Sequence, residues 1–148
     1  MILQNYSFGD DDISILIDGK YIDIHNCYEF YELIYNTKNR EVVLKWKVDE
    51  PDEEDFFIDD GLPRFISMFF EGVHFLKSIE RDHEMPFSED DCVETFGFLL
   101  DKLIDQMKGL SSNNPQSGCS HFIVNFMSGF AIKLSAKTSS VKYGENAY

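Results

Sequence analysis

The amino-acid sequence predicts an α+β domain: a mainly antiparallel sheet of about six to eight strands built from hairpins, with one main helix over residues 89–108 packed on it. Three observations lead there. Asp18-Gly19 lies between two runs of β type, Ile13–Ile17 and Lys20–Ile24, and a two-residue Asp-Gly link between such runs is a strong short-range hairpin signal. The stretch Arg64–Ile79 is the densest apolar run, nine of its sixteen residues being Phe, Ile, Leu, Met or Val, as in a strand buried on both faces or one that changes partners. Val93, Phe96, Leu99/Leu100, Leu103/Ile104 and Met107 recur at steps of three and four, the spacing of one helical face.

Size and composition agree with one domain over residues 1–148. A chain of this length buries roughly 70% of the surface its unfolded form exposes, and fourteen Phe and seven Tyr give it ample apolar area to do so. No run of about 18 apolar residues occurs. The start Met1–Tyr6 lacks a basic flank and a long apolar segment, so a cytoplasmic location is expected. Cys27, Cys92 and Cys119 are odd in number and widely spaced, which suggests no disulfide framework.

The elements follow in order. Ile2–Phe8 leads into Gly9-Asp10-Asp11-Asp12, a turn-forming charged cluster, and then into the Asp18-Gly19 hairpin. In Cys27–Tyr35 the density of aromatics favours a strand over a short helix, with Asn36–Arg40 as the turn of a second hairpin. Its return strand, Glu41–Val48, puts Val42, Leu44, Trp46 and Val48 on one face and Lys45 and Lys47 on the other. The aromatics Tyr28, Phe30, Tyr31, Tyr35 and Trp46 read mainly as core. One helix covers only one side of a sheet, so part of the second face is expected to stay open to a protein partner or a second copy of the chain.

Asp49–Asp55 holds six acids and one proline, and Asp59-Asp60-Gly61 follows, a solvated loop by its self-repulsion. Within Arg64–Ile79, Gly72 marks a kink between two strand segments, about 64–71 and 73–80. Ser88 before Glu89, Asp90 and Asp91 has the chemistry of a helix N-terminus, and Gly109 that of a C-cap. Gly97 weakens that helix by about 1 kcal/mol. Leu110–Gly118 is a link. A third hairpin pairs Cys119–Met127 with Phe130–Ala136 across Ser128-Gly129, and Thr138–Tyr148 adds an edge strand or frays.

Charge separates the chain into two parts. Residues 1–108 carry 26 acidic and 10 basic side chains, whereas residues 109–148 carry Glu145 against Lys133, Lys137 and Lys142, within a net of −14. Such a field repels nucleic acid and anionic membrane and attracts a basic partner, although net charge also serves solubility. The side chains predicted to meet that partner are Asp49, Glu50, Asp52, Glu53, Glu54 and Asp55, with Asp82, Glu84, Glu89, Asp90 and Asp91 as a second acidic rim.

Catalytic and metal chemistry have thinner support. His25 with Cys27 and Cys119 with His121 offer four ligand types, but structural zinc sites more often place two or more residues between paired ligands; no metal is expected. No phosphate-cradling glycine pattern and no nucleophile elbow occurs, so no cofactor or catalytic residue is assigned. The alternative to a binding domain is a small-ligand binder or an enzyme of unfamiliar type, with a pocket near residues 72–84 lined by His74, Arg81 and His83.

The order hairpin, hairpin, acidic loop, Phe70-Glu71-Gly72-Val73, Arg81-Asp82, Pro86, Asp90-Asp91, helix and terminal hairpin resembles small uncharacterised bacterial domains of the polymorphic-toxin immunity-protein type. That resemblance covers most of the chain as a pattern of elements. It implies an acidic protein that occludes a basic enzyme, and it carries no catalytic residues across.

Overall fold

Gly72 is where the chain passes from one sheet to another. In the computed structural model, which describes residues 1–49 and 61–146, the strand before it (β7, Phe65–Glu71) lies inside a five-stranded sheet, and the strand after it (β8, Phe75–Ile79) edges a four-stranded one. Gly72 has φ +65°, and a Cβ there would come within 2.8 Å of the Lys137 side chain, so the corner requires glycine twice over. The returning chain turns at the same level. The strands β11 (Ala131–Ser135) and β12 (Thr138–Gly144) pair with β8 and β7 respectively. One long antiparallel ribbon therefore bends from sheet to sheet, its corner held by Lys137 N–H to Glu71 O and His74 N–H to Ser135 O.

The remaining strands fill out three sheets. The first has the order β1 (Ile2–Leu3), β12, β7, β6 (Glu41–Val48), β5 (Tyr28–Asn36). The second runs β8, β11, β10 (His121–Phe126), β9 (Val93–Leu99). The third is β2 (Tyr6–Phe8), β3 (Ser14–Ile17), β4 (Lys20–Asp23). The Asp18-Gly19 hairpin forms as the sequence predicts, with φ +50° and +77° at its two turn residues and Ile17 opposite Lys20. The β5–β6 and β10–β11 hairpins form too. Phe122 joins the sheets: its ring lies 5.4 Å from Phe8, 5.1 Å from Phe70 and 5.7 Å from Phe98, one contact to each sheet.

The α+β expectation is corrected: the described residues are mostly β, with twelve strands, one helical turn at Ile24–Cys27 (α1) and a 3-10 turn at Phe87–Glu89. The helix over 89–108 does not form. Residues 93–99 are β9, antiparallel to β10 with Phe96 opposite Val124 and Phe98 opposite Phe122. The three- and four-residue spacing misleads because β9 buries both faces, and a fully buried strand has no period of its own. Phe96 and Phe98 enter the main core, while Gly97 faces away. Its missing side chain lets another segment close in, since a Cβ on Gly97 would come within 2.9 Å of the Ser112 carbonyl.

What covers that outer face is irregular chain. Residues 100–118 run across it in turns and bends, and Lys133 holds them down. Its side chain is fully buried, and its ammonium donates to the carbonyls of Leu103, Ile104 and Gln106 at 2.5, 2.9 and 2.9 Å. A lysine on the outward face of β11 thus replaces the helix the pattern suggests. The terminal strand is also misjudged as an edge. β12 lies between β7 and β1, because Ile2 and Leu3 pair with Thr138 and Ser139 in parallel. Among the described residues, no helix is long and apolar enough to cross a membrane.

Candidate acidic interface

Two acidic residues far apart in sequence, Asp49 and Asp91, converge on the start of β5. Asp49, which follows β6, donates its N–H to Cys27 O at 3.0 Å, and Asp91 accepts through its backbone carbonyl from Phe30 N–H at 2.9 Å. Both are thereby tied to Cys27–Phe30. Partial burial pushes the Asp91 carboxyl above the usual carboxylate range, and Glu29, Asp49 and Asp90 add repulsion. The nearby thiols respond likewise. Cys92 is pushed up by burial and then by Glu89, Asp91 and Asp49, and Cys27 by burial and then by Asp23 and Asp49. Neither thiol is set up as a nucleophile, which needs the opposite shift.

The rest of the second rim is braced by one arginine. Arg81 donates from Nε to Asp90 Oδ1 at 2.7 Å, reaches the carbonyls of Met85 and Pro86, and stacks over Phe87 at 4.6 Å from the ring centre. That pairing pulls the Asp90 carboxyl below its ordinary range. Asp82 and Glu84 are exposed, whereas Glu89, Asp90 and Asp91 are half-buried. The turn after β10 anchors both ends of the rim: Asp82 N–H donates to Ser128 O and Ser128 N–H to Glu89 O. Of the first segment, Asp49 is described; Glu50, Asp52, Glu53, Glu54 and Asp55 lie outside the described residues.

The alternative pocket of His74, Arg81 and His83 does not assemble. Arg81 lines a shallow pocket of about 270 Å³ with Phe30, Asp90 and Phe130, and neither histidine joins it. The His83 side chain is 93% exposed. His25, Cys27, Cys119 and His121 also go separate ways: His25 Nδ1 meets Val93 O, and His121 Nδ1 meets the Ser135 hydroxyl. Among the described residues, no group of three or more His, Cys, Asp or Glu is placed to hold a metal.

A larger cleft of about 650 Å³ opens where β9 and β10 meet the rim. Thr95 and Asn125 face one another across the two strands in its lining, which also includes Asp12, Asp82, Glu94 and Lys108. Asn125 is only 6% exposed; its Nδ2 donates to Thr95 Oγ1 at 3.0 Å, and its Oδ1 has no partner among the described residues. Asp12 adds a second buried oxygen, a carboxylate one, without a partner among the described residues, on a backbone with φ +63° whose carbonyl accepts from Phe96 N–H. The lining holds more acceptors than donors, which suits a cationic or donor-rich group. Sequence reasoning misses this cleft. Its one legible signal is Asn125, a polar residue inside the apolar run Phe122–Phe126.

A comparison of the chain with protein-family models, curated proteins and solved structures finds no match in any of the three.

Proposed function

We propose that this chain is a non-catalytic acidic domain that binds a protein partner with a basic surface, in the manner of an immunity protein occluding a basic toxin. The observation that carries this reading is the convergence of Asp49 and Asp91 on Cys27–Phe30, which joins Glu29, Asp49, Asp90 and Asp91 in one negative field. Carboxylates grouped in this way steer a cationic partner into encounter and pair with its lysines and arginines on contact. Holding Asp91 ionised beside Asp49, Asp90 and Glu29 costs folding energy, a cost that a basic partner relieves.

The test is capture of partners by tagged protein at low and at high salt, followed by association kinetics with the partner recovered. Replacing Asp49, Glu89 and Asp91 by Asn, Gln and Asn should slow association several-fold and flatten its dependence on ionic strength. An unchanged on-rate in that triple variant sinks the reading.

A second reading, a small cationic ligand, is favoured by the unpartnered Asn125 Oδ1 at the cleft. Titration with an alkylammonium or alkylguanidinium ion, followed through the Asn125 side-chain amide resonances, should saturate if the cleft is a site. A linear drift without saturation rejects it.

A further inference from the structure

We infer that the outer edge of β5 is a pairing surface for a second copy of this chain, forming a two-fold dimer through antiparallel strand addition. β5 is nine residues long and ends its sheet. Its first part is blocked, because Phe30 N–H is already bonded to Asp91 O. From Tyr31 to Asn36 every residue is exposed, and among the described residues none of their backbone groups is bonded on the outer side. Tyr31, Leu33, Ile34 and Tyr35 are 39, 37, 39 and 43% exposed. Proteins ordinarily protect such an edge with lysines, prolines or a cover; residues 31–36 contain no lysine or proline, and no described residue covers them, the irregularity at Phe30–Glu32 being the one protective feature among the described residues.

Charge selects the occupant. Residues 28–48 carry Glu29, Glu32 and Glu41 against Lys38, Arg40, Lys45 and Lys47, a net of +1 in a chain of net −14. The two glutamates of β5 are already matched within the hairpin, Glu32 by Lys45 at 2.9 Å and Glu29 by Lys47 at 2.7 Å. A basic protein finds no unmatched carboxylate on this strand, whereas a second copy meets no repulsion from the hairpin itself, only that between the two acidic bodies at longer range. With the two-fold axis at Ile34, each side chain stays on its own face of the joined sheet: Ile34 faces the other copy's Ile34, Leu33 faces Tyr35 and Glu32 faces Asn36. No carboxylate then opposes a carboxylate, and the contact is self-complementary as a two-fold axis requires.

This edge is distinct from the acidic rim, and salt tells them apart. Added salt screens the repulsion between two strongly acidic bodies and strengthens self-pairing, whereas it weakens capture of a basic partner. Sedimentation of the full chain over a wide concentration range should show a shift from 17.2 kDa to twice that mass, reached at lower concentration when salt is raised. The double variant Leu33→Lys/Tyr35→Lys, made at exposed positions, should retain the far-ultraviolet circular dichroism of the parent and raise the dissociation constant roughly tenfold or more. Amide exchange at Tyr31–Asn36 should slow as concentration increases. A monomer throughout, a dimer indifferent to the double variant, or a dimer whose Tyr31–Asn36 amides stay unprotected overturns the inference. Protection that appears only when a different protein is added overturns it too, and assigns the edge to that protein's strand.

Discussion

β5 and β9 are both outer strands, and the molecule treats them in opposite ways. The free side of β9 is closed: Phe96 N–H bonds Asp12 O at 2.8 Å, Phe98 N–H bonds Ser112 O at 2.7 Å, and Phe98 O accepts from Ser111 N–H at 2.8 Å. Its outward face lies beneath residues 100–118, fastened by buried Lys133. Among the described residues β5 has one such bond, at Phe30, and then six exposed residues. A chain that spends a glycine, a buried lysine and a long irregular segment on one edge has the means to cover an edge. The open edge of β5 is the one feature on which the proposed pairing with a second copy rests.

The largest expected effect is one that strikes both regions alike. Phe122→Ala removes the ring shared by the three sheets and should lower stability by about 3–5 kcal/mol, in one cooperative denaturant transition. Two separate transitions would show that the sheets do not share a core. Lys133→Met, by contrast, should act on the covered edge alone. Losing an ammonium bonded to three carbonyls should cost about 2–3 kcal/mol and speed amide exchange at Ser111 and Ser112 while leaving β5 unchanged.

Gly97→Ala tests the same cover by sign. Alanine ordinarily stabilises a strand relative to glycine by about 0.5–1 kcal/mol, whereas here the new Cβ meets the Ser112 carbonyl, so a loss of about 1–3 kcal/mol is expected. A stabilised variant would mean that the segment moves aside freely. On the open edge, Leu33→Lys should shift the unfolding free energy of the monomer by less than about 1 kcal/mol, because the lysine stem can lie over the surface that Leu33 covers while its ammonium reaches solvent.

The smallest effects belong to pH. Asp90 has its folded-state pKa depressed by Arg81, so the stability it contributes is present above its ordinary value of 3.8 and is lost as pH falls through the folded value. Asp90→Asn should flatten the acid limb below pH 3.8, as read from urea midpoints at stepped pH. Asp91 runs the other way. Its folded pKa is raised, so its ionisation erodes stability as pH climbs through a window above 3.8. Asp91→Asn should gain less than about 1 kcal/mol at neutral pH after solvent screening, while slowing association with a basic partner. A loss of neutral-pH stability in that variant would contradict the assigned crowding of carboxylates.

The amino-acid sequence by itself determined the features that depend on neighbouring residues: the Asp18-Gly19 hairpin, the β5–β6 and β10–β11 pairs, the break at Gly72 and the excess of acid in residues 1–108. Turn geometry, alternation of side chains and net charge are local, and each is written in a few adjacent positions. Tertiary structure alone decided that residues 93–99 form a strand, because Val93, Phe96 and Leu99 fit a helical face as well as a doubly buried strand. Pairing with β10 on one side and with Asp12 and Ser112 on the other breaks the tie. It also decided that β12 is interior, through two residues at the opposite end of the chain, and that Asp49 and Asp91 share one surface. Contacts between residues that distant are made by the whole packed molecule, so no short window of sequence contains them.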